Sequence, residues 1–231
     1  MQIDEMATVK ENLLNVMERI EQAARRAGRD PGEIKLVAVS KTVETDRIRE
    51  AIDAGACILG ENYVQEAQAK IEEIGRRVAW HFIGHLQSNK AKYAIRLFDM
   101  VHSVDSLSLA EELNRRAESA GRTLEVLIEV KLSEETTKFG TEEEGVFSLA
   151  GKMKDFRHLS LKGLMTMPPY FDSPELSRPY FIRLRSLRDQ MVRTGLPVAE
   201  LSMGMSADFE IAIEEGATYV RIGTAIFGPR G

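Results

Sequence analysis

Cysteine is almost absent. Cys57 stands alone, so no internal disulfide can form, and its apolar run AGACILG predicts a core thiol in a reducing compartment. Positive charge is not in excess either: 31 Lys and Arg against 36 Asp and Glu leave a net charge of -5. Nothing in that balance favours nucleic acid or an anionic membrane as a partner. No apolar run is long enough to span a bilayer, and the N-terminal MQIDEMATVK has neither a basic segment nor an apolar stretch of leader type. A cytoplasmic protein is expected. Of the 4 histidines, His81 and His85 lie four apart in HFIGH, but the glutamate of a zinc-binding helix is missing, so no metal site is expected. No shift in composition marks a linker, and residues 1–231 read as one domain.

What the chain does have is rhythm. Val9, Leu13, Val16, Met17, Ile20 and Ala24 recur at helical spacing, and Gly28 to Gly32 end that helix. Eight short apolar runs follow: KLVAVSK (35–41), CILGE (57–61), WHFIG (80–84), MVHSVD (100–105), LEVLIEV (124–130), LKGLM (161–165), ELSMG (200–204) and YVRIG (219–223). Stretches such as SLSLAEELNRRAES between them carry the 3.6-residue period of surface helices. Strict β–α alternation implies parallel strands with right-handed crossovers. Eight such units in 231 residues predict a closed (β/α)8 barrel of the TIM type with an extra N-terminal helix. An open doubly wound sheet is the alternative that the same alternation allows.

In a barrel, chemistry belongs at the C-terminal ends of the strands. Those ends carry Lys41, Glu61-Asn62, Gly84-His85, Ser103 to Asp105, Lys131, Thr166, Ser202 to Ser206 and Gly223-Thr224. The last two loops suit a phosphate group. LSMGMSADFEIAI offers a glycine turn with Ser206 as a helix N-cap, and VRIGTAIFG offers Gly223, where bare backbone can approach a ligand, then the Thr224 hydroxyl. Taken alone, each loop is equally a capped helix or a plain turn.

Lys41 ends the first strand, and a charged amine at the mouth of a buried strand needs a partner, solvent or a lowered proton affinity. Alternation points Val37, Val39 and Lys41 one way, and Tyr219, Arg221 and Gly223 likewise. In a closed barrel the first and last strands are neighbours, so Arg221 comes beside Lys41. A lysine near a second cation in a partly dry mouth becomes a usable nucleophile. Amine, phosphate cup and arginine are together what a pyridoxal phosphate site requires. The plainer readings are a surface lysine whose head reaches solvent, and an Arg221 salt bridge to Asp105 or Glu129.

These residues carry a resemblance. LVAVSKT, GENYVQEA, WHFIGHLQSNK, KFG (138–140), LKGLMTM, LSMGMSADFEIAI and VRIGTAIFG resemble the pyridoxal phosphate homeostasis proteins, short relatives of the alanine racemase barrel. The resemblance runs from residue 36 to 228, and IGHLQSNK and LSMGMSADF are its most specific parts. It implies a fold-type III barrel with pyridoxal 5'-phosphate as an aldimine on Lys41. It also implies phosphate contacts from Ser206, Gly223 and Thr224, with Arg221 facing the pyridine nitrogen. Asn62 either hydrogen-bonds the cofactor or simply starts a helix. The implied role is a cofactor carrier, with apo forms of pyridoxal phosphate enzymes as recipients and no convincing turnover.

Chemistry agrees with that role, because an arginine keeps its proton and leaves the pyridine a poor electron sink. The matches end three residues before Gly231, so neither a second domain nor a tight dimer is expected, only a monomer or weak oligomer. Two other readings share the site: an amino-acid racemase, and a barrel enzyme in which Lys41 forms a Schiff base with a sugar phosphate.

The remaining candidates read more plainly. His81 is expected to line the barrel as a satisfied core histidine, while His85 either shields the cofactor or meets a partner. Gln87, Asn89 and Lys90 fall in a mouth loop, Met203 and Met205 read as packing, and the pairs Arg25-Arg26, Arg76-Arg77 and Arg115-Arg116 read as solvated faces.

Overall fold

The computed structural model describes residues 7–133 and 139–229. Each of the eight apolar runs forms a strand: β1 (Lys35–Val39), β2 (Ile58–Glu61), β3 (Ala79–Phe82), β4 (Met100–Val104), β5 (Leu124–Lys131), β7 (Leu159–Met165), β8 (Glu200–Ser202) and β9 (Tyr219–Ile222). A two-residue strand that the pattern does not announce, β6 (Thr141–Glu142), pairs with the end of β5. All pairings are parallel, in the order β4-β3-β2-β1-β9-β8-β7-β5, and a β4–β5 pairing closes the ring. The closed barrel, and not the open sheet, is therefore the fold. At the seam, Val37 pairs with Arg221 and Ala38 with Ile222.

Around the barrel lie α2 (Thr45–Asp53), α3 (Val64–Ile74), α4 (Ala91–Leu97), α5 (Leu107–Ser119), α6 (Glu143–Met153), α7 (Arg178–Arg193), α8 (Phe209–Glu214) and the short α9 (Thr224–Phe227). The extra N-terminal helix is α1 (Val9–Arg26). It starts at a capping box, in which Thr8 and Glu11 satisfy each other's backbone N–H groups. Its apolar stripe of Val9, Leu13, Val16 and Ile20 is buried, and it packs on α2, α8 and α9 beside the seam.

Strand alternation divides the core in two. Outward-facing residues such as Ala38, Leu59, Val126 and Val220 pack under the helices, while Val37, Met100, Leu127, Met165 and Tyr219 form a small cluster inside the barrel. Each fully buried aliphatic or Phe side chain contributes about 1.5–3 kcal/mol relative to exposure. The inner cluster plugs the barrel from below, so its open end is the C-terminal mouth.

Cys57 departs from expectation. Its side chain is exposed just before β2, with Sγ 3.3 Å from the Gly55 carbonyl oxygen, while Ala56 before it and Leu59 after it take the buried positions. Among the described residues, no helix is long and apolar enough to cross a membrane. No group of three or more His, Cys, Asp or Glu is arranged to hold a metal ion there.

Candidate functional site

A cavity of about 270 Å³ opens at the mouth, and its walls include all six residues singled out from the sequence: Lys41, Asn62, Ser206, Arg221, Gly223 and Thr224. Val39, Ile83, Met167, Tyr170 and Met205 add apolar wall. Lys41 comes from the turn just past β1 and is half-buried. Gly84, after β3, lets that loop close on Asn62: a Cβ there would lie 2.5 Å from the Asn62 carbonyl oxygen.

Three local expectations are revised. Ser206 does not cap α8; the cap residue is Asp208, whose Oδ1 accepts the Met205 N–H at 2.7 Å. Ser206 Oγ instead accepts the N–H groups of Gly223 (3.3 Å) and Ala225 (3.2 Å), tying the β8 loop to the β9 loop. Asn62 does not start α3, which begins at Val64 after Tyr63. Its Oδ1 is buried with no hydrogen-bond partner among the described residues. The salt-bridge reading of Arg221 also changes. Its Nη1 donates to Ser202 Oγ at 2.6 Å and its Nη2 to the Thr166 carbonyl at 2.9 Å.

Arg221 is 3% exposed. Burial lowers its pKa to about 10, while the charges of Glu129 and Asp208 pull the other way, so it remains a cation at neutral pH. Its guanidinium can only donate, which orients the groups beneath it. Ser202, which accepts from Arg221, also pairs with His102 Nδ1 at 2.9 Å, and the other ring nitrogen of His102 pairs with His81 Nδ1 at 2.9 Å, so one run of hydrogen bonds links the four side chains. Burial holds both rings neutral, His81 down at about 4 and His102 well below its ordinary value. His81 is thus the satisfied barrel-lining histidine expected from HFIGH. The sequence reading missed His102; its inward phase in MVHSVD, shared with Met100, was the available signal. Glu129, inside β5, is pushed up to about 7, chiefly by burial and then by Asp105, with Arg221 opposing.

The other candidates fall to the sides. His85 stacks on Phe139, with ring centroids 3.6 Å apart, and its Nδ1 lies 3.4 Å from Asp105. With Gln87 and Lys90 it lines a neighbouring groove that shares Asn62. Met203 is core, whereas Met205 reaches the cavity. The three arginine pairs lie on the solvated surface, and the lysine of KFG, Lys138, lies outside the described residues.

The donor set fits a flat, phosphorylated aldehyde. An amine stands at one side, and an acceptor in want of a donor, Asn62 Oδ1, lies in the wall. A cation marks the floor, the Ser206 hydroxyl meets backbone N–H groups at the loop pair, and Thr224 stands in the same wall.

Fold and mouth together define a barrel of the kind found in the N-terminal domain of alanine racemase, and the family of that description matches residues 12–231. A pyridoxal phosphate homeostasis protein of Aquifex aeolicus is 46% identical over 222 residues, covering 95% of this chain and 97% of that one. The solved structure of PipY from Synechococcus elongatus with pyridoxal phosphate bound is 37% identical, with a TM-score of 0.82, and covers 92% of this chain and 100% of that one. A protein of unknown role from Bifidobacterium adolescentis superposes with a TM-score of 0.90 at 38% identity over 95% of this chain and 94% of that one. The chain belongs to the pyridoxal phosphate homeostasis protein family.

Proposed function

We propose that the chain binds pyridoxal 5'-phosphate at this mouth and acts in cofactor homeostasis, holding and releasing the cofactor without turning over amino acids. One observation carries the reading: a single small cavity gathers the Lys41 amine, the unsatisfied Asn62 Oδ1, the Arg221 cation and the Ser206–Thr224 hydroxyl pair. When bound, the cofactor supplies an aldehyde that condenses reversibly with amines and a ring that can withdraw electrons. Lys41 is the amine that holds the aldehyde. Ser206 and Thr224 hold the phosphate, which the side-chain-free Gly223 lets come close to the backbone. Arg221 faces the ring nitrogen, and Asn62 accepts a hydrogen bond from the cofactor's edge.

The same residues argue against turnover. Arg221 keeps its proton and gives only a hydrogen bond, so the ring is not activated. Glu129, pushed up to about 7, is not among the residues that line the cavity. In this reading the recipients are apo forms of pyridoxal phosphate enzymes, and the chain works in the cytoplasm as a single-domain monomer or weak oligomer.

The experiment is borohydride reduction of the pyridoxal phosphate-loaded protein, followed by peptide mapping. Label on Lys41, lost in Lys41→Ala, is expected; label on Lys90 or Lys131 in its place overturns the assignment. In deuterated water the loaded protein should put essentially no deuterium at the α-carbon of L-alanine. Exchange at about 1 per second or faster would make the chain an enzyme of racemase type.

A further inference from the structure

Lys41 lies in a turn that a single backbone bond closes, the Val43 N–H donating to the Ser40 carbonyl at 3.1 Å. The next residue, Thr42, has φ 59, and among the described residues it is the one non-glycine with positive φ. A β-branched side chain is strained there, and such a conformation persists only where its surroundings enforce it. The turn bond is reinforced by side chains from α3 and β2. Lys70 of α3, 6% exposed, spends all three ammonium hydrogens on one cluster: the Ser40 carbonyl at 2.5 Å, Glu61 Oε1 at 2.9 Å and Glu66 Oε1 at 2.6 Å. Glu66 Oε1 also accepts the Thr42 N–H at 2.5 Å, and Glu61 Oε1 accepts the Ser40 hydroxyl at 2.6 Å.

The Ser40 carbonyl and the Thr42 N–H belong to the two peptide planes that flank the Lys41 α-carbon. Lys70 grips one directly and the other through Glu66. Fixing both planes fixes the direction in which Lys41 leaves the backbone. The arrangement is costly as mere packing. Glu61 is fully buried, and its Oε2 has no hydrogen-bond partner among the described residues. Burial raises its pKa against the pull of Ser40 and Lys70. The neighbouring positions of the same helix, Val64, Ala67 and Ile71, fill the layer with apolar groups, and a buried ion cluster is seldom the more stable choice.

We propose that Lys70, Glu66 and Glu61 are positioning residues for Lys41, a clamp that aims its amine at the cofactor aldehyde. The inference rests on the reading of Lys41 given above. It predicts a defect in covalent capture with no loss of non-covalent recognition. The measurements are the rate at which the visible band of the Lys41-bound cofactor appears, and the affinity for 4-deoxypyridoxine 5'-phosphate, which keeps ring and phosphate but lacks the aldehyde.

Glu66→Ala and Lys70→Met should slow capture by about 10- to 100-fold, the scale of an ångström-size misplacement. Affinity for the aldehyde-free analogue should stay within about twofold, since those contacts are elsewhere. Glu66→Gln keeps an acceptor for the Thr42 N–H and should restore most of the rate. Glu66 is partly exposed, so the Ala and Gln pair remains informative even if Lys70→Met does not fold. Equal capture rates in Glu66→Ala and wild type overturn the clamp, as does a parallel fall in analogue affinity. A wild-type protein that never labels at Lys41 fails differently, removing the site assignment and the clamp with it.

Discussion

Replacing Glu129 with Gln should change how folding stability depends on pH. Glu129 is 3% exposed inside the barrel. Burial and the Asp105 charge raise its pKa from 4.5 to about 7, against Arg221. Below 4.5 the group is protonated in both folded and unfolded chains. Between 4.5 and about 7 the folded chain keeps a proton that the unfolded chain has lost. The stability it contributes is therefore complete at low pH and is lost as pH rises through about 7. That displacement corresponds to on the order of 3 kcal/mol. His81, 5% exposed, acts in the opposite sense: burial lowers it from 6.5 to about 4, so its contribution is present above 6.5 and lost as pH falls through about 4. In the wild type the two slopes oppose each other. Glu129→Gln resembles the protonated acid in shape and removes one slope. Urea unfolding from about pH 5 to about pH 8 should show the variant gaining on wild type as pH rises. A gap that stays constant across that range would refute the reasoning.

The mouth and the barrel give further expectations. Ser206→Ala should weaken pyridoxal phosphate binding by about 1 kcal/mol, at the low end for a charge-assisted bond, because the Gly223 and Ala225 N–H groups become free to donate directly. Titration with unphosphorylated pyridoxal should show no such loss; an equal loss would remove Ser206 from the phosphate contacts. Arg221→Glu should cost about 3–5 kcal/mol in urea unfolding, because it sets a carboxylate beside Glu129 and leaves the Thr166 carbonyl without its donor. A change below about 1 kcal/mol would mean that the network under the cavity is not structural. Gly163→Ala, whose Cβ would lie 1.8 Å from the Glu200 carbonyl oxygen, should part β7 from β8 and cost about 3 kcal/mol or more in thermal or urea melts.

Much of this protein is legible in local pattern. Periodicity 2 against 3.6 marks the eight barrel strands and α1, and alternation within YVRIG already turns Arg221 inward, whereas Lys41 lies in a turn past the end of β1, beyond the reach of strand alternation. Such features depend on neighbours a few residues away, so the sequence itself determines them. Closure of the ring is different in kind, because β1 meets β9 only when the last unit has packed. Nor does local pattern show which side chains meet across neighbouring strands: Ser206 with Gly223 and Ala225, Arg221 with Ser202 and Thr166, and His81 with His102. Cys57 was misplaced for a related reason. Its run is apolar, but Cys57 lies just before β2, and which side of that connection meets the core is settled only when the layers assemble. The Lys70–Glu61–Glu66 cluster was equally hidden, since GENYVQEAQAK reads as an ordinary charged helix until α3 lies against β2. Burial is a property of the assembled layers, and it alone turns a lysine and two glutamates from solvated side chains into a support for Lys41.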